Sequence, residues 1–355
     1  MSKPLVPDRT VAGRKREHLR ALENDPQIER RQSGFQHLRL THRALPELDF
    51  NAVDTATWFL GKPLAFPLLI SSMTGGAGEE INTINRALAK AAETTGVAMA
   101  VGSQRVMFKE PSARASFALR DVAPTAPLIG NIGAVQLNYG VGADECLQAI
   151  ETLRADGLYL HVNPLQEAVQ PEGDRDFSKL LAAIEALGHA LPVPLLLKEV
   201  GAGLSGADVE RGYASGIRHF DVAGRGGTSW SRIEYHRRAE DDDDLGLVFQ
   251  DWGLTTIESL MEARAVLCEK ADGTTLIASG GIRDGVDMAK CMILGADVCG
   301  VAAPLLSAAR VSTAAVIAAI GKLRREFQTA MFLLGCPDVA SLKSNTALIR
   351  KSVEF

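Results

Sequence analysis

Eight short apolar runs recur along this chain, at residues 68–70, 97–101, 128–129, 158–162, 195–197, 217–222, 276–278 and 297–301. Each closely follows a glycine or proline, and each is continuous rather than alternating. Continuous apolar runs are expected of parallel strands covered on both faces. Between them the pattern turns helical. Residues 79–95 place Ile81, Ile84, Leu88 and Ala92 near one face, and residues 144–155 do the same with Cys146, Ile150 and Leu153. Residues 285–294 and 311–332 read likewise. Eight strand–helix units in about 250 residues predict a (β/α)8 TIM barrel. A doubly wound α/β sheet is the alternative, because periodicity alone does not close a barrel.

Residues 1–65 break the pattern. A basic helix is predicted over 14–22 and mixed extended structure over 35–50. We expect an N-terminal extension, 1–65, packed on a barrel of residues 66–355, as one structural domain. The acidic run at 240–244 reads as a solvated loop.

Composition narrows the function. The chain has 355 residues, 46% hydrophobic and 23% charged, ordinary for a globular protein. A net charge of -5 argues against broad binding to nucleic acid or to an anionic membrane. No apolar run reaches membrane-spanning length, and residues 1–20 are basic without the apolar stretch of a secretory signal. Five dispersed cysteines (Cys146, Cys268, Cys291, Cys299, Cys336) suit reduced thiols in a cytoplasmic protein and read as small core residues.

The chemistry gathers where the strands end. After the first run come Ser71-Ser72-Met73-Thr74-Gly75-Gly76, and after the second Gly102-Ser103-Gln104-Arg105. The third gives Gly130-Asn131-Ile132-Gly133, and the fourth His161-Val162-Asn163-Pro164-Leu165-Gln166-Glu167. Lys198-Glu199 follow the fifth, and Gly224-Arg225-Gly226-Gly227-Thr228-Ser229-Trp230 the sixth. The seventh leads into Ser279-Gly280-Gly281-Ile282-Arg283-Asp284, the eighth into Ala302-Ala303-Pro304. In a barrel all these ends meet at one rim, where active sites are built.

Ser279-Gly280-Gly281 before a helix suits a phosphate, since glycines let backbone N–H groups approach an anion at a helix N-terminus. A tight turn needing glycine is the plainer alternative. The glycine-rich turn ending in Thr228 is a second phosphate candidate, and the two together are similar to the phosphate site of flavin mononucleotide barrels. Lys198 at the rim can stabilise negative charge on a reduced flavin ring, or form a structural ion pair. Ser72, Met73, Thr74 and Asn131 can pack against and hydrogen-bond that ring. Glu167 is the candidate Mg²⁺ ligand, because a single carboxylate completed by phosphates and waters is how Mg²⁺ is commonly held. Gln166 is a neutral donor and acceptor. His161 is either an orienting residue or a proton carrier. Arg14, Lys15 and His18, spaced for one region of a helix surface, can join Arg105 in clamping a diphosphate, or simply make a basic surface.

In family order, these segments resemble the type 2, FMN-dependent isopentenyl diphosphate isomerases. The matching residues are Arg14-Lys15 with His18, residues 72–76, 103–105, 130–133, 161–167 with 170–174, Lys198-Glu199, 226–230 and 279–281. The spacing His-x-Asn-x-x-Gln-Glu is the most specific of them. The resemblance implies interconversion of isopentenyl and dimethylallyl diphosphates. It implies reduced FMN, Mg²⁺ and NADPH or NADH as reductant, with no net redox change. It gives Gln166 and His161 a catalytic part beside the flavin. Arg14, Lys15, His18, Ser103, Gln104, Arg105, Asn163 and Gln166 would contact the substrate. Ser71, Ser72, Met73, Thr74, Ser103, Asn131, Lys198, Thr228, Gly280, Gly281, Ile282, Arg283, Ala302 and Ala303 would hold FMN, and Glu167 the metal. A homo-tetramer or homo-octamer is implied as well. The rivals are a 2-hydroxy-acid oxidase, disfavoured because the rim histidine stands beside a Gln-Glu pair, and a non-catalytic flavin- or phosphate-binding protein.

Overall fold

The computed structural model describes residues 21, 24–30, 32–73, 75–237, 243–270 and 273–350. Outside them lie Arg14, Lys15 and His18, all but Ala21 of the expected basic helix, Thr74, and Glu240 to Asp242 of the acidic run.

All eight apolar runs form strands: β1 (Leu68–Ile70), β2 (Ala98–Ala100), β3 (Leu128–Gly133), β4 (Gly157–His161), β5 (Leu195–Lys198), β6 (His219–Asp221), β7 (Thr275–Ser279) and β8 (Val298–Val301). They pair in parallel and in sequence, and β8 pairs with β1 to close the barrel. The expected TIM barrel is the observed fold, and the doubly wound alternative is excluded. Helix Glu79–Thr95 has the bounds its pattern predicts, with Gly96 in left-handed conformation ending it. Helices Ala143–Leu153, Gly285–Ile293 and Thr313–Leu334 lie within two residues of expectation.

Period-two alternation sorts the strand residues. Leu69, Ile129, Tyr159, Leu196, Ile277 and Val298 share the barrel interior, while Leu68, Ile70, Leu195 and Leu197 belong to the shell beneath the helices. The same parity sends Asn131, His161, Lys198, Asp221 and Ser279 inward at the carboxyl end of the barrel. The opposite end is plugged by a hairpin, Thr57–Phe59 with Lys62–Leu64, whose Phe59 and Leu64 join the interior cluster.

The described residues before β1 pack closely on the barrel. Arg39–Leu40 pairs antiparallel with Ile349–Arg350, and the rest of 35–50 is largely turns and short 3-10 helices rather than strand. Arg30 is buried and donates to the carbonyls of Gly201, Thr228, Gln250 and Gly227, at 2.6, 3.0, 2.9 and 3.2 Å. That ties Arg30 to the segments after β5 and β6. Four cysteines are buried as expected, but Cys268 is exposed, because it caps the last turn of helix Thr256–Leu267 at the surface. Among the described residues no helix is long and apolar enough to cross a membrane.

Candidate active site

The strand ends enclose a cavity of about 270 Å³ at the carboxyl rim. It has a phosphate-like corner, a wall suited to a flat ring, and an acidic mouth.

The corner is made by the turns after β6 and β7. Gly280 and Gly281 have φ of +108° and +72°. A Cβ at Gly280 would lie 2.1 Å from the Gly224 carbonyl oxygen, and one at Gly281 2.5 Å from that of Gly226. Only glycine lets these turns pack together. Gly227, Thr228, Ile282 and Arg283 line the cavity beside them. The carboxylate of Glu29 accepts from the Thr228 hydroxyl and from the Arg283 guanidinium. An anion already held by a hydroxyl and a guanidinium at a glycine turn shows that the donor set suits a phosphate.

Ser71, Ser72, Met73, Asn131, Lys198, Ala302 and Ala303 all line the next part of the cavity. Ser72 Oγ is buried with no hydrogen-bond partner among the described residues, which leaves it available to a bound group. These residues fit the flavin that the sequence implies: a small-residue wall, an unsatisfied hydroxyl, an amide and a cation. The Lys198 ammonium is bonded to Asp221 Oδ2 at 2.9 Å and to Ser279 Oγ at 3.2 Å.

His161 ends β4 and faces the cavity. Its Nδ1 donates to Asn131 Oδ1 at 2.7 Å, because an amide oxygen only accepts.

At the mouth, Asn163 precedes the short helix Pro164–Val169, which carries Gln166 and Glu167. Asn163 Nδ2 donates to Gln166 Oε1 at 3.0 Å and to Glu167 Oε1 at 2.9 Å, while the Asp174 N–H donates to Glu167 Oε2 at 2.7 Å. Asn163 Oδ1 is buried without a partner among the described residues. Burial, opposed by these hydrogen bonds, raises the Glu167 carboxyl above the usual carboxylate range. A buried carboxylate beside an unsatisfied amide oxygen fits a divalent cation. Among the described residues no group of three or more His, Cys, Asp or Glu is arranged for a metal, so a cation here needs oxygens from elsewhere.

Ser103 and Arg105 line the cavity, and Arg105 is paired with Asp174 at 2.7 Å. Gln104 does not line it. Its side chain is fully buried, donating to the Ala149 carbonyl at 2.9 Å and accepting from the Asn131 N–H at 3.0 Å. The chain turns at Gln104 to enter helix Val106–Lys109, which aims the amide into the wall.

Four residues join the site or its support that the sequence did not single out. Glu29 fills the phosphate corner. Gln136 lines the cavity and donates to Asp174 at 3.0 Å. Glu234, fully buried on helix Trp230–His236, accepts from Gln166 Nε2 at 2.8 Å and from Arg237 at 2.5 Å. Asp221 lies beneath Lys198. An aspartate within an apolar strand run was the one signal for it; nothing local marked Glu234.

The family described as FMN-dependent dehydrogenase matches residues 18–117 and 141–350. A protein from Paracoccus zeaxanthinifaciens named isopentenyl-diphosphate delta-isomerase is 69% identical over 344 residues, covering 97% of this chain and 99% of the relative. One of the same name from Hydrogenovibrio crunogenus is 55% identical over 343 residues, covering 96% and 99%. Among solved structures, a flavocytochrome b2 mutant with pyruvate bound matches with a TM-score of 0.66 at 19% identity, covering 96% of this chain and 85% of that one. A soluble mutant of (S)-mandelate dehydrogenase from Pseudomonas putida matches with a TM-score of 0.64 at 18% identity, covering 96% and 99%. At that identity the structural likeness speaks for the barrel alone. The sequence likeness goes further: the chain is an enzyme and belongs to the FMN-dependent isopentenyl-diphosphate delta-isomerase family.

Proposed function

We propose that this enzyme interconverts isopentenyl and dimethylallyl diphosphates using reduced FMN and Mg²⁺, with NADPH or NADH serving to reduce the flavin. The observation that carries the reading is the convergence, in one cavity, of a phosphate-type glycine turn, the Lys198 ammonium, the Gln166 amide held from behind by Glu234, and the buried Glu167 carboxylate.

Moving a double bond by one carbon requires a proton on one face of an alkene and removal of another from a neighbouring carbon. Protonating an unactivated alkene makes a tertiary cation, so the site must be dry and electron-rich. Reduced FMN, when bound, supplies an electron-rich ring and a ring nitrogen able to carry the proton. The chain's own residues do the rest. Gly280, Gly281, Thr228, Ile282 and Arg283 hold the cofactor phosphate. Ser71, Ser72, Met73, Ser103, Asn131, Ala302 and Ala303 seat the ring, with Thr74, outside the described residues, as a further contact. Lys198 balances ring charge. Glu167, with the Asn163 amide oxygen, holds Mg²⁺ against the diphosphate. Ser103, Arg105 and the N-terminal Arg14, Lys15 and His18 grip the diphosphate itself. Gln166, fixed by Asn163 and Glu234, lies beside the reacting carbons, and His161 tunes the site.

The unpaired cysteines fit a reducing cytoplasm, and by family resemblance a homo-tetramer or homo-octamer is expected. The test is to supply purified enzyme with FMN, Mg²⁺, NADPH and isopentenyl diphosphate under anaerobic conditions. Dimethylallyl diphosphate should accumulate while NADPH is consumed only to reduce the flavin. Continued NADPH consumption in step with product, or no product, overturns the proposal.

A further inference from the structure

Behind the cavity wall, side chains from four adjacent strands close on one carboxylate. Tyr159, Lys198, Asp221 and Ser279 all turn inward from β4, β5, β6 and β7. Asp221 is completely buried. Its Oδ2 accepts from the Tyr159 hydroxyl and from Lys198 Nζ, both at 2.9 Å. Its Oδ1 accepts from Ser279 Oγ at 2.5 Å and from the Ala223 N–H at 3.2 Å. Lys198 and Ser279 line the cavity; Asp221 and Tyr159 do not. Burial, and the charge of Asp221, hold the Tyr159 phenol protonated well above its ordinary range, so it donates and adds no second negative charge. The ammonium also lies 5.7 Å from the Tyr159 ring centroid.

The carboxylate is spent on four donors and reaches no ligand. Its effect passes through Lys198. A lysine has four rotatable bonds, and here its ammonium is anchored from behind at two points. An ammonium beside a flavin favours the reduced ring, which carries more negative charge. A carboxylate 2.9 Å behind that ammonium subtracts from its field, and solvent does not screen the subtraction at zero exposure.

We propose that Asp221 is a positioning residue. It aims the Lys198 ammonium at the cavity and, by opposing its charge, sets how much more tightly the site holds reduced than oxidised FMN. The inference rests on the reading that this cavity binds FMN. Tyr159 enters in the opposite sense, since its hydrogen bond spreads the Asp221 charge away from the ammonium.

The test is a dye-equilibrated reductive titration of FMN-loaded enzyme at pH 7, with oxidised FMN affinity from fluorescence quenching. Asp221→Asn keeps the shape and removes the charge. It should raise the ratio of reduced to oxidised FMN affinity about tenfold, a midpoint about 30 mV more positive for a two-electron couple. Tyr159→Phe leaves the carboxylate less dispersed and should shift the midpoint the other way by a smaller amount. In a Lys198→Met background, Asp221→Asn should change little. With no ammonium to aim or to oppose, the carboxylate has no partner through which to act on the cavity. A structural role would weaken both redox forms together and give no opposition of sign. Where Asp221→Asn does not fold, Tyr159→Phe, which loses one oxygen at constant shape, carries the test. Wild-type potentials in FMN-loaded variants, or shifts of one sign in both, overturn the proposal. A wild-type chain that takes up no FMN overturns the cofactor reading, and this inference with it.

Discussion

Glu29 occupies the corner that the cofactor phosphate would claim, so replacing it should strengthen FMN binding. Its carboxylate is paired with Arg283 and accepts from Thr228, with the two charged side chains 31% and 39% exposed. A pair that wet is worth about 0.2–1 kcal/mol, and the hydroxyl bond adds about 0.5–1.5 kcal/mol. The Glu29→Gln variant would keep one hydrogen bond and lose the ion pair. The competition removed is then that of the ion pair, about 0.2–1 kcal/mol, which is about 1.4- to fivefold in affinity.

The assay titrates apoprotein and its Glu29→Gln variant with FMN and with riboflavin, following flavin fluorescence. FMN should bind about 1.4- to fivefold more tightly to the variant, and the gain should shrink at high salt as the pair is screened. Riboflavin, which has no phosphate, should bind both proteins equally. Weaker FMN binding by the variant, or an equal gain for riboflavin, refutes the idea that Glu29 and the phosphate share one corner.

Three further outcomes are expected. Gln166→Ala and His161→Ala should each lower kcat by about ten- to a hundredfold without abolishing isomerisation; no detectable turnover with FMN and substrate still bound would make a side-chain acid the better model. Mg²⁺ should raise the melting temperature of diphosphate-bound wild-type enzyme and leave that of Glu167→Gln unmoved, since a ligand stabilises only the fold that binds it; equal shifts would place the cation elsewhere. Burial raises the Asp287 carboxyl to about 6. The folded state therefore prefers its protonated form, and the stability this gives is complete below the unfolded value near 3.8 and lost as pH rises through about 6. Asp287→Asn should gain on wild type as pH rises from about 4 to about 7, by at most about 3 kcal/mol, in chemical denaturation; a difference independent of pH would contradict the burial argument.

The barrel was legible because its strands are buried on both faces and so read as unbroken apolar runs, each set off by glycine or proline. The plug hairpin was not. Its strands are three residues each, and Pro63 sits in the middle of one. Most of the site was legible for a different reason. Polar residues at the ends of apolar strands have few structural uses, so Ser72, Asn131, His161, Lys198 and Ser279 stood out. Gln104 stood out by the same logic and faces the wall instead, because the chain has already begun to turn there. Glu234 depends on tertiary geometry alone. Its partner Gln166 is 68 positions away, and only the packing of helix Pro164–Val169 against helix Trp230–His236 brings them together.

Charge accounting gives the site its remaining logic. Besides Glu199, which accepts from backbone N–H groups of its own loop, three buried carboxylates stand around it, and each needs compensation at low dielectric. Asp221 has the Lys198 ammonium, and Glu234 has the Arg237 guanidinium at 2.5 Å. Glu167 is treated differently. The guanidinium closest in role, Arg105, is bonded to Asp174 instead, and Asp174 lends Glu167 a backbone N–H while adding a negative charge of its own. What Glu167 receives directly is two neutral donors, with a weaker attraction from Arg105, beside an amide oxygen that has no partner among the described residues. Asp221 and Glu234 are thus completed within the fold and position their neighbours. Glu167 is left short of positive charge at the open end of the cavity, where a cation arriving with a diphosphate would supply it.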